Sequence, residues 1–224
     1  MREYEAVVFD MDGVIFDSEK KVVECWQVLA DKYGFTGIEE ACRACLGTTK
    51  EKSKEIMLQR YGEDFPYETY SAEASKLFHE RYDGGRLPKK TGIEKILQAL
   101  SQKGKKIALA SSTRRQTVES QLREAGLIGY FDKIICGDMV EKSKPEPDIY
   151  IRACKELGVL PEQAYAIEDS YNGIRSAYRA GMRPIMVPDE EMRKLACMIK
   201  EDLSQVCRAI IEDEKKPQEG TIHD

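Results

Sequence analysis

The stretch "EAVVFDMDGVIFDSE", residues 5–19, decides the architecture. Four apolar residues, Ala6, Val7, Val8 and Phe9, form a run of strand length that stops at Asp10. Asp12 follows two positions later, then Gly13, then Asp17. Acids are poor strand formers, and like charges this close repel. Two carboxylates at a strand end therefore need a reason to be there.

Outward from this stretch the chain changes character twice. Residues 17–86 read as almost entirely helical. Val22, Trp26, Leu29 and Tyr33 recur at helical spacing on one face, Gly34 closes that helix, and further helices are predicted over 50–61 and 67–82. Asp83, Gly84, Gly85 and Pro88 break the pattern. Beyond them helix and strand alternate. Ile93, Ile96, Leu97 and Leu100 make a helix face, followed by a strand over 105–110, a helix over 113–125 and a strand over 134–136. A helix over 147–157, a strand over 164–167, a helix over 171–180 and a strand over 183–187 complete the series. Such alternation implies right-handed crossovers and a parallel sheet with helices on both faces. The predicted fold is α/β: a Rossmann-like core of residues 1–16 and 87–224, with an all-helical cap, residues 17–86, inserted after the first strand. Residues 212–224 are charged and poor in apolar side chains, which predicts a frayed tail.

Composition narrows the function. The 224 residues are 42% apolar and 33% charged, with a net charge of −5, so nucleic acid is not expected as a partner. No apolar run approaches membrane-spanning length and no secretory signal stands at the N-terminus, so no membrane is expected and the cytoplasm is. Seven cysteines, among them Cys25, Cys154, Cys197 and Cys207 in helix-like stretches, read as reduced core thiols. Cys42 and Cys45 form a C-x-x-C without a second pair, read as packing rather than as a redox or zinc site. Only His79 and His223 are present, so chemistry must run mainly on carboxylates, lysines and hydroxyls.

Ligands of open parallel sheets bind beyond the carboxyl ends of the strands. Those ends carry Asp10 and Asp12, then Ser111 and Ser112, then the loop "KSKPEPD" with Lys144, then Glu168 and Asp169. Clustered carboxylates need a cation, and oxygen donors without histidine suit Mg²⁺. A cation, a lysine and a hydroxyl are what a transferring phosphoryl group needs. One of Asp10 and Asp12 can attack phosphorus while its neighbour moves the proton.

"DMDGV", "ALASS", "KSKPEPD" and "AIEDSYNGIRSAYRAGM" resemble the four motifs of the haloacid dehalogenase superfamily, and the helical insertion resembles the cap of its β-phosphoglucomutase-like branch. The resemblance implies Asp10 as nucleophile and metal ligand. Asp12 is implied as general acid/base that also offers its backbone carbonyl to Mg²⁺, Ser111 and Lys144 as groups on the phosphoryl oxygens, and Asp169 as metal ligand with Glu168 as ligand or support. Ser112 and Lys50 are the further candidates for substrate contact; Lys50 aligns with a basic cap residue of the family's mutases. Those mutases carry a histidine on the first cap helix where this chain has Val22, which favours hydrolysis.

Plainer readings stand beside these. Ser111 could be a helix N-cap, though Ser112 or Thr113 suits that better. Glu168 and Asp169 could offset a helix dipole, Asp17 could cap the first cap helix, Lys50 could be a surface charge, Trp26 reads as cap core, and Arg114 and Arg115 as surface charge. The sequence reading is a Mg²⁺-dependent phosphatase of small phosphorylated metabolites, with a phosphosugar mutase or inorganic pyrophosphatase as alternatives. A phospho-signalling receiver is the non-enzymatic rival; receivers lack a cap and an acid in the position of Asp12.

Overall fold

A computed structural model describes residues 4–45 and 50–187. The predicted tail, Cys197, Cys207 and His223 lie outside the described residues. Five strands, β1 (Ala6–Phe9), β2 (Lys106–Ser111), β3 (Lys133–Cys136), β4 (Ala164–Glu168) and β5 (Arg183–Met186), form one parallel sheet in the order β3-β2-β1-β4-β5. The strand that ends in Asp10 is thus central. The chain winds outward from β1 in one direction through β2 and β3, then crosses to β4. The crevice between β1 and β4 is where such a fold binds ligands.

Strand side chains alternate between the two faces. Val7, Phe9, Ile107, Leu109 and Ile167 face α5 (Ile93–Gln102) and α6 (Arg115–Glu124) through Ile93, Leu97, Leu100, Val118 and Leu122. The other face is nearly all alanine: Ala6, Ala108, Ala110, Ala164 and Ala166, with Val8. Small side chains let α7 (Asp148–Leu157) and α8 (Tyr171–Arg179) press close to the sheet, and α7 adds Ile149, Tyr150, Ala153, Cys154 and Leu157 to that layer.

Between β1 and α5 come α1 (Ser18–Tyr33), α2 (Ile38–Cys45), α3 (Lys50–Tyr61) and α4 (Tyr67–Tyr82). They share a cluster of their own, including Trp26, Leu29, Ala30, Ile38, Ala41, Cys42, Met57, Tyr67 and Ala74. The two chain crossings to this bundle pair with each other. Asp17 N–H donates to the Pro88 carbonyl at 2.9 Å, Lys90 N–H donates to that of Ile15 at 2.8 Å, and Lys90 Nζ lies 3.1 Å from Asp17 Oδ1. Asp17 does occupy the N-cap position of α1, but its carboxylate makes no cap bond.

Several local expectations are corrected. Of the predicted α1 stripe, Trp26 and Leu29 are buried, whereas Val22 and Tyr33 are exposed; Cys25 and Ala30 complete the buried face. Ile96 is exposed as well. The predicted helix over 113–125 begins at Arg115, so neither Ser112 nor Thr113 caps it; Asp138 Oδ1 takes the Arg115 N–H at 3.1 Å. The short α2 carries the C-x-x-C. Cys42 is buried within it, and burial pushes its thiol up to about 12, which suits a packing residue and not a redox thiolate. Among the described residues no helix is long and apolar enough to cross a membrane.

Candidate active site

Asp10 leaves the sheet at the end of β1, its N–H bonded to the Ile167 carbonyl at 2.9 Å, and is 7% exposed. Lys144 arrives from the loop after β3. Its Nζ donates to Asp10 Oδ1 at 2.5 Å, to Glu168 Oε1 at 2.6 Å and to the Ala110 carbonyl at 3.0 Å. Glu168, the last residue of β4, is fully buried. It also accepts from Tyr150 Oη at 2.5 Å and from Ser170 Oγ at 3.3 Å. Gly173 leaves room for that carboxylate, since a Cβ there would stand 1.9 Å from it.

Asp12 sits one turn further out, half-buried. Ser18 Oγ donates to its Oδ1 at 2.7 Å and Thr113 Oγ1 to its Oδ2 at 3.1 Å. Both carboxylate oxygens are thus oriented by hydroxyls, one from the first turn of α1 and one from the loop after β2. Gly13, at φ +78°, turns the chain beneath Asp169, where a Cβ would stand 1.6 Å from Asp169 Oδ2.

These groups open on a cleft of about 480 Å³. Asp10, Asp12, Lys144 and Asp169 line it, with Ser112, Ser143, Ser170 and Asn172 from the core and Glu19, Lys50 and Glu51 from the helical bundle. Ser111 and Glu168 do not reach its surface. Ser111 is fully buried, and its Oγ accepts the Thr113 N–H at 3.1 Å, leaving its own proton free to donate. Lys50 lies at the mouth, 3.3 Å from Glu68. Val22 is not on this cleft; it lines a separate apolar pocket of about 210 Å³ with Trp26, Ser71, Ala74, Ser75 and Phe78. Neither Arg114 nor Arg115 lines the cleft.

Burial raises the Asp10 carboxyl to about 8 although Lys144 pulls it down, with Glu168 and Asp12 adding to the rise. Asp169 rises to about 10, through burial first and then the charges of Glu19, Asp10 and Glu168. Burial works against the Lys144 charge, but Asp10 and Glu168 outweigh it and hold Lys144 above its ordinary value. Burial also lifts Tyr150 well above a normal phenol, so it stays a proton donor to Glu168. The carboxylates of Asp10, Glu168 and Asp169 offer oxygens all within 4.8 Å of one another. Asp169 Oδ2 is buried without a hydrogen-bond partner, which is costly unless something binds it. An oxygen-only cluster of excess negative charge, with one oxygen unsatisfied, could hold a hard divalent cation.

Sequence reasoning missed Tyr150, Ser18 and Thr113, the groups that orient Glu168 and Asp12, and the cleft-lining Glu19, Glu51, Ser143, Ser170 and Asn172. Ser18 carried one usable signal, a hydroxyl at the first position of a helix that starts six residues after Asp12.

A family model described as haloacid dehalogenase-like hydrolase matches residues 7–187. The phosphorylated carbohydrates phosphatase of Thermotoga maritima is 32% identical over 186 residues, covering 81% of this chain and 83% of its own. The β-phosphoglucomutase of Bacillus subtilis is 29% identical, covering 94% of this chain and 95% of its own. Among solved structures, CbbY from Rhodobacter sphaeroides in complex with phosphate superposes with a TM-score of 0.65 at 31% identity, over 83% of this chain and 87% of that one.

Proposed function

The chain belongs to the haloacid dehalogenase-like hydrolases, and on that premise we propose that it is a Mg²⁺-dependent phosphatase of small, sugar-like phosphate esters, working in the cytoplasm through an aspartyl-phosphate. The observation that carries the reading is Asp10 at the end of the central strand, neutralised on Oδ1 by Lys144 and facing a cleft that Asp169 and Asp12 also line. Residues 17–86 are read as a cap over this cleft, a separate domain on a core of 1–16 and 87–224.

Asp10 and Asp169 would hold the metal, with the Asp12 carbonyl. Glu168 would act from behind, since its oxygens are already taken by Lys144, Tyr150 and Ser170. Bound there, Mg²⁺ would offset the charge on the phosphoryl oxygens. Asp10 attacks phosphorus, the bond to the ester oxygen breaks, and Asp12 gives its proton to the departing alkoxide. Asp12 then takes a proton from water, whose oxygen attacks the aspartyl-phosphate, and Asp10 is released with inorganic phosphate. Lys144 pulls Asp10 toward its ionised form and meets the phosphoryl charge, and the Ser112 hydroxyl, which lines the cleft, donates to a phosphoryl oxygen, while Ser111 lies buried behind it. Ser18 and Thr113 hold the Asp12 carboxyl in place for both proton transfers. Val22, on its own pocket and with no ionisable group, gives a phosphosugar mutase cycle no support at that position.

The test is a pair of variants. Asp10→Asn should abolish phosphate release. Asp12→Ala should lose roughly 10²–10⁴-fold. Given p-nitrophenyl phosphate, whose leaving group needs no proton, Asp12→Ala should accumulate a phosphoryl mass on the Asp10 peptide after acid quench. Wild-type turnover by Asp12→Ala, or a label on Ser111, overturns the assignment.

A further inference from the structure

Lys144 stands on a loop that has few means of holding itself. Pro145 and Pro147 bring no N–H, so the one amide donor between Lys144 and α7 is that of Glu146, which bonds the Ser143 carbonyl at 3.0 Å. The grip on this loop comes from α8. Ser176 Oγ donates to the Glu146 carbonyl at 2.6 Å. Arg179 Nη1 donates to the Pro145 carbonyl at 3.3 Å and to Glu146 Oε1 at 3.0 Å. Asn172, Ser176 and Arg179 stand four and three residues apart, so they form one stripe of the helix. Asn172, at one end of the stripe, lines the cleft; the other two hold the loop. Ser176 is fully buried, among Gly173, Ile174 and Ala177 as the other buried positions of α8. A buried hydroxyl is costly without a partner, and a helical serine can meet that need by turning back onto its own helix. Here it reaches instead to the residue two places after Lys144. A contact that merely seats α8 on α7 could fall anywhere along α7; these three fall on the two residues that follow the lysine.

We propose that Ser176 and Arg179 are positioning residues for Lys144: they fix the backbone of residues 145 and 146, and so the place from which the lysine reaches Asp10, Glu168 and the phosphoryl group. The start of α8 is fixed too, by a cap directly after Asp169 in which Ser170 Oγ accepts the Gly173 N–H at 3.0 Å. One helix thereby sets both the acid and the lysine that flank Asp10. The clamp matters most during turnover. In the resting site Asp10 and Glu168 hold the ammonium themselves, at 2.5 and 2.6 Å. Once Asp10 is bonded to phosphorus it keeps less charge to hold the lysine, and the ammonium must stay against the phosphoryl oxygens. The backbone clamp then decides where it stands. A misplacement of about 1 Å at such a group costs on the order of 10²-fold in rate. Neither Ser176 nor Arg179 lines the cleft, so both act through Lys144.

The role in turnover rests on the phosphatase reading, whereas the placement of Lys144 can be read without it. The probe is trace acetylation of the full metal-free chain with N-hydroxysuccinimidyl acetate, read lysine by lysine by mass spectrometry. Lys144 should be among the slowest lysines of the wild type. Ser176→Ala combined with Arg179→Met should speed it several-fold. Lys106, which donates to the Leu157 carbonyl at 2.8 Å at the far end of α7, should keep its rate. With Mg²⁺ and p-nitrophenyl phosphate, the same double variant should lower kcat by about 10–100-fold and move KM little. Arg179→Lys, which keeps a donor, should lose less than Arg179→Met. In a Lys144→Met background the two changes should cost almost nothing more, since their route to the reaction is gone. Parallel rises at Lys144 and Lys106, or losses that add in full to that of Lys144→Met, mark a general packing role and overturn the proposal. So does an unchanged Lys144 rate, or an unchanged kcat in an active enzyme. If no ester releases phosphate while Lys144 alone is freed, the phosphatase reading falls and the clamp stands.

Discussion

Lys144→Met removes the one buried cation of the site and leaves a side chain of similar length. The lysine, 8% exposed, touches Asp10, Glu168 and the Ala110 carbonyl. Without it two carboxylates stand side by side, one 7% exposed and one fully buried. Removing one partner from a buried ion pair costs roughly 3–5 kcal/mol, which for a chain of this size lowers Tm by about 6–20 °C. The acids can escape part of that cost only by taking protons. Asp10 stands at about 8 even with Lys144 pulling it down, so it already holds its proton at neutral pH in the metal-free wild type, and without the lysine it rises further. Its folded value then lies well above the unfolded one, and the folded state holds more protons than the unfolded state through the window above pH 4. Wild type shares the resulting loss of stability up to about pH 8, so the deficit relative to wild type should widen only as pH rises above 8. The variant also lacks the fixed cation that meets the charge on the phosphoryl oxygens, so kcat/KM for p-nitrophenyl phosphate should fall on the order of 10³-fold at pH 7. Thermal melts of both proteins at pH 7 and pH 9, with no metal added, read the first effect and phosphate release reads the second. A variant that melts within about 2 °C of wild type at pH 9, or keeps a tenth of its activity, refutes the reasoning.

The metal-free protein should lose stability as pH rises from 5 to 9, because Asp10 at about 8 and Asp169 at about 10 bind protons more tightly folded than unfolded. Mg²⁺ needs both groups ionised, so it should raise Tm more at pH 8 than at pH 6; equal increments would contradict that linkage. Chelation should abolish turnover, Mg²⁺ should restore it and Ca²⁺, with its looser shell, should not; full activity in excess chelator refutes a metal role. Gly13→Ala places a Cβ 1.6 Å from Asp169 Oδ2 at a φ of +78°, so it should weaken Mg²⁺ by roughly 10–100-fold and lower Tm, with calorimetry as the check.

Much of this was legible from residues alone, for identifiable reasons. Ala6–Phe9 is buried throughout, so it reads as an unbroken apolar run that ends where the sheet ends, and Asp10 marks the rim. The helices Lys50–Tyr61 and Tyr67–Tyr82 start and stop where breakers stand: Gly62 and Pro66 between them, Asp83-Gly84-Gly85 after them. The eight residues of α2 are too few to show a period. The α1 stripe was read one notch too wide, since the spacing that places Trp26 and Leu29 inward leaves Val22 and Tyr33 at the edges of the arc. Tyr33 instead stacks on Tyr70, ring centroids 4.4 Å apart. In the site, the residues at strand ends could be placed from sequence because topology alone brings them to one rim. Their supports could not. Thr113 reaches Asp12 across 101 residues of chain, and only the register of β1 on β2 determines that contact. Tyr150 looked like any apolar position of α7, and its hydroxyl matters only because the alanine face of the sheet lets that helix approach Glu168.

The grip on Asp12 ties the proposed proton transfers to the position of the helical bundle. Of its two hydroxyl partners, Thr113 belongs to the core and Ser18 is the first residue of α1. The crossings at Ile15 to Asp17 and Pro88 to Lys90 are paired into one ribbon, so they cannot swing independently. The second crossing is anchored again where Glu124 of α6 accepts the N–H groups of Gly84 and Gly85 at 2.8 and 3.2 Å. A displacement of the bundle relative to the core would therefore act on Ser18, which stands between the paired crossing and the rest of α1. The 2.7 Å bond to Asp12 Oδ1 is the shortest path from that motion to the group assigned to the leaving oxygen and the water. If residues 17–86 act as the proposed cap, covering the cleft and aiming the acid would be one movement, because the first residue of α1 also holds the Asp12 carboxylate.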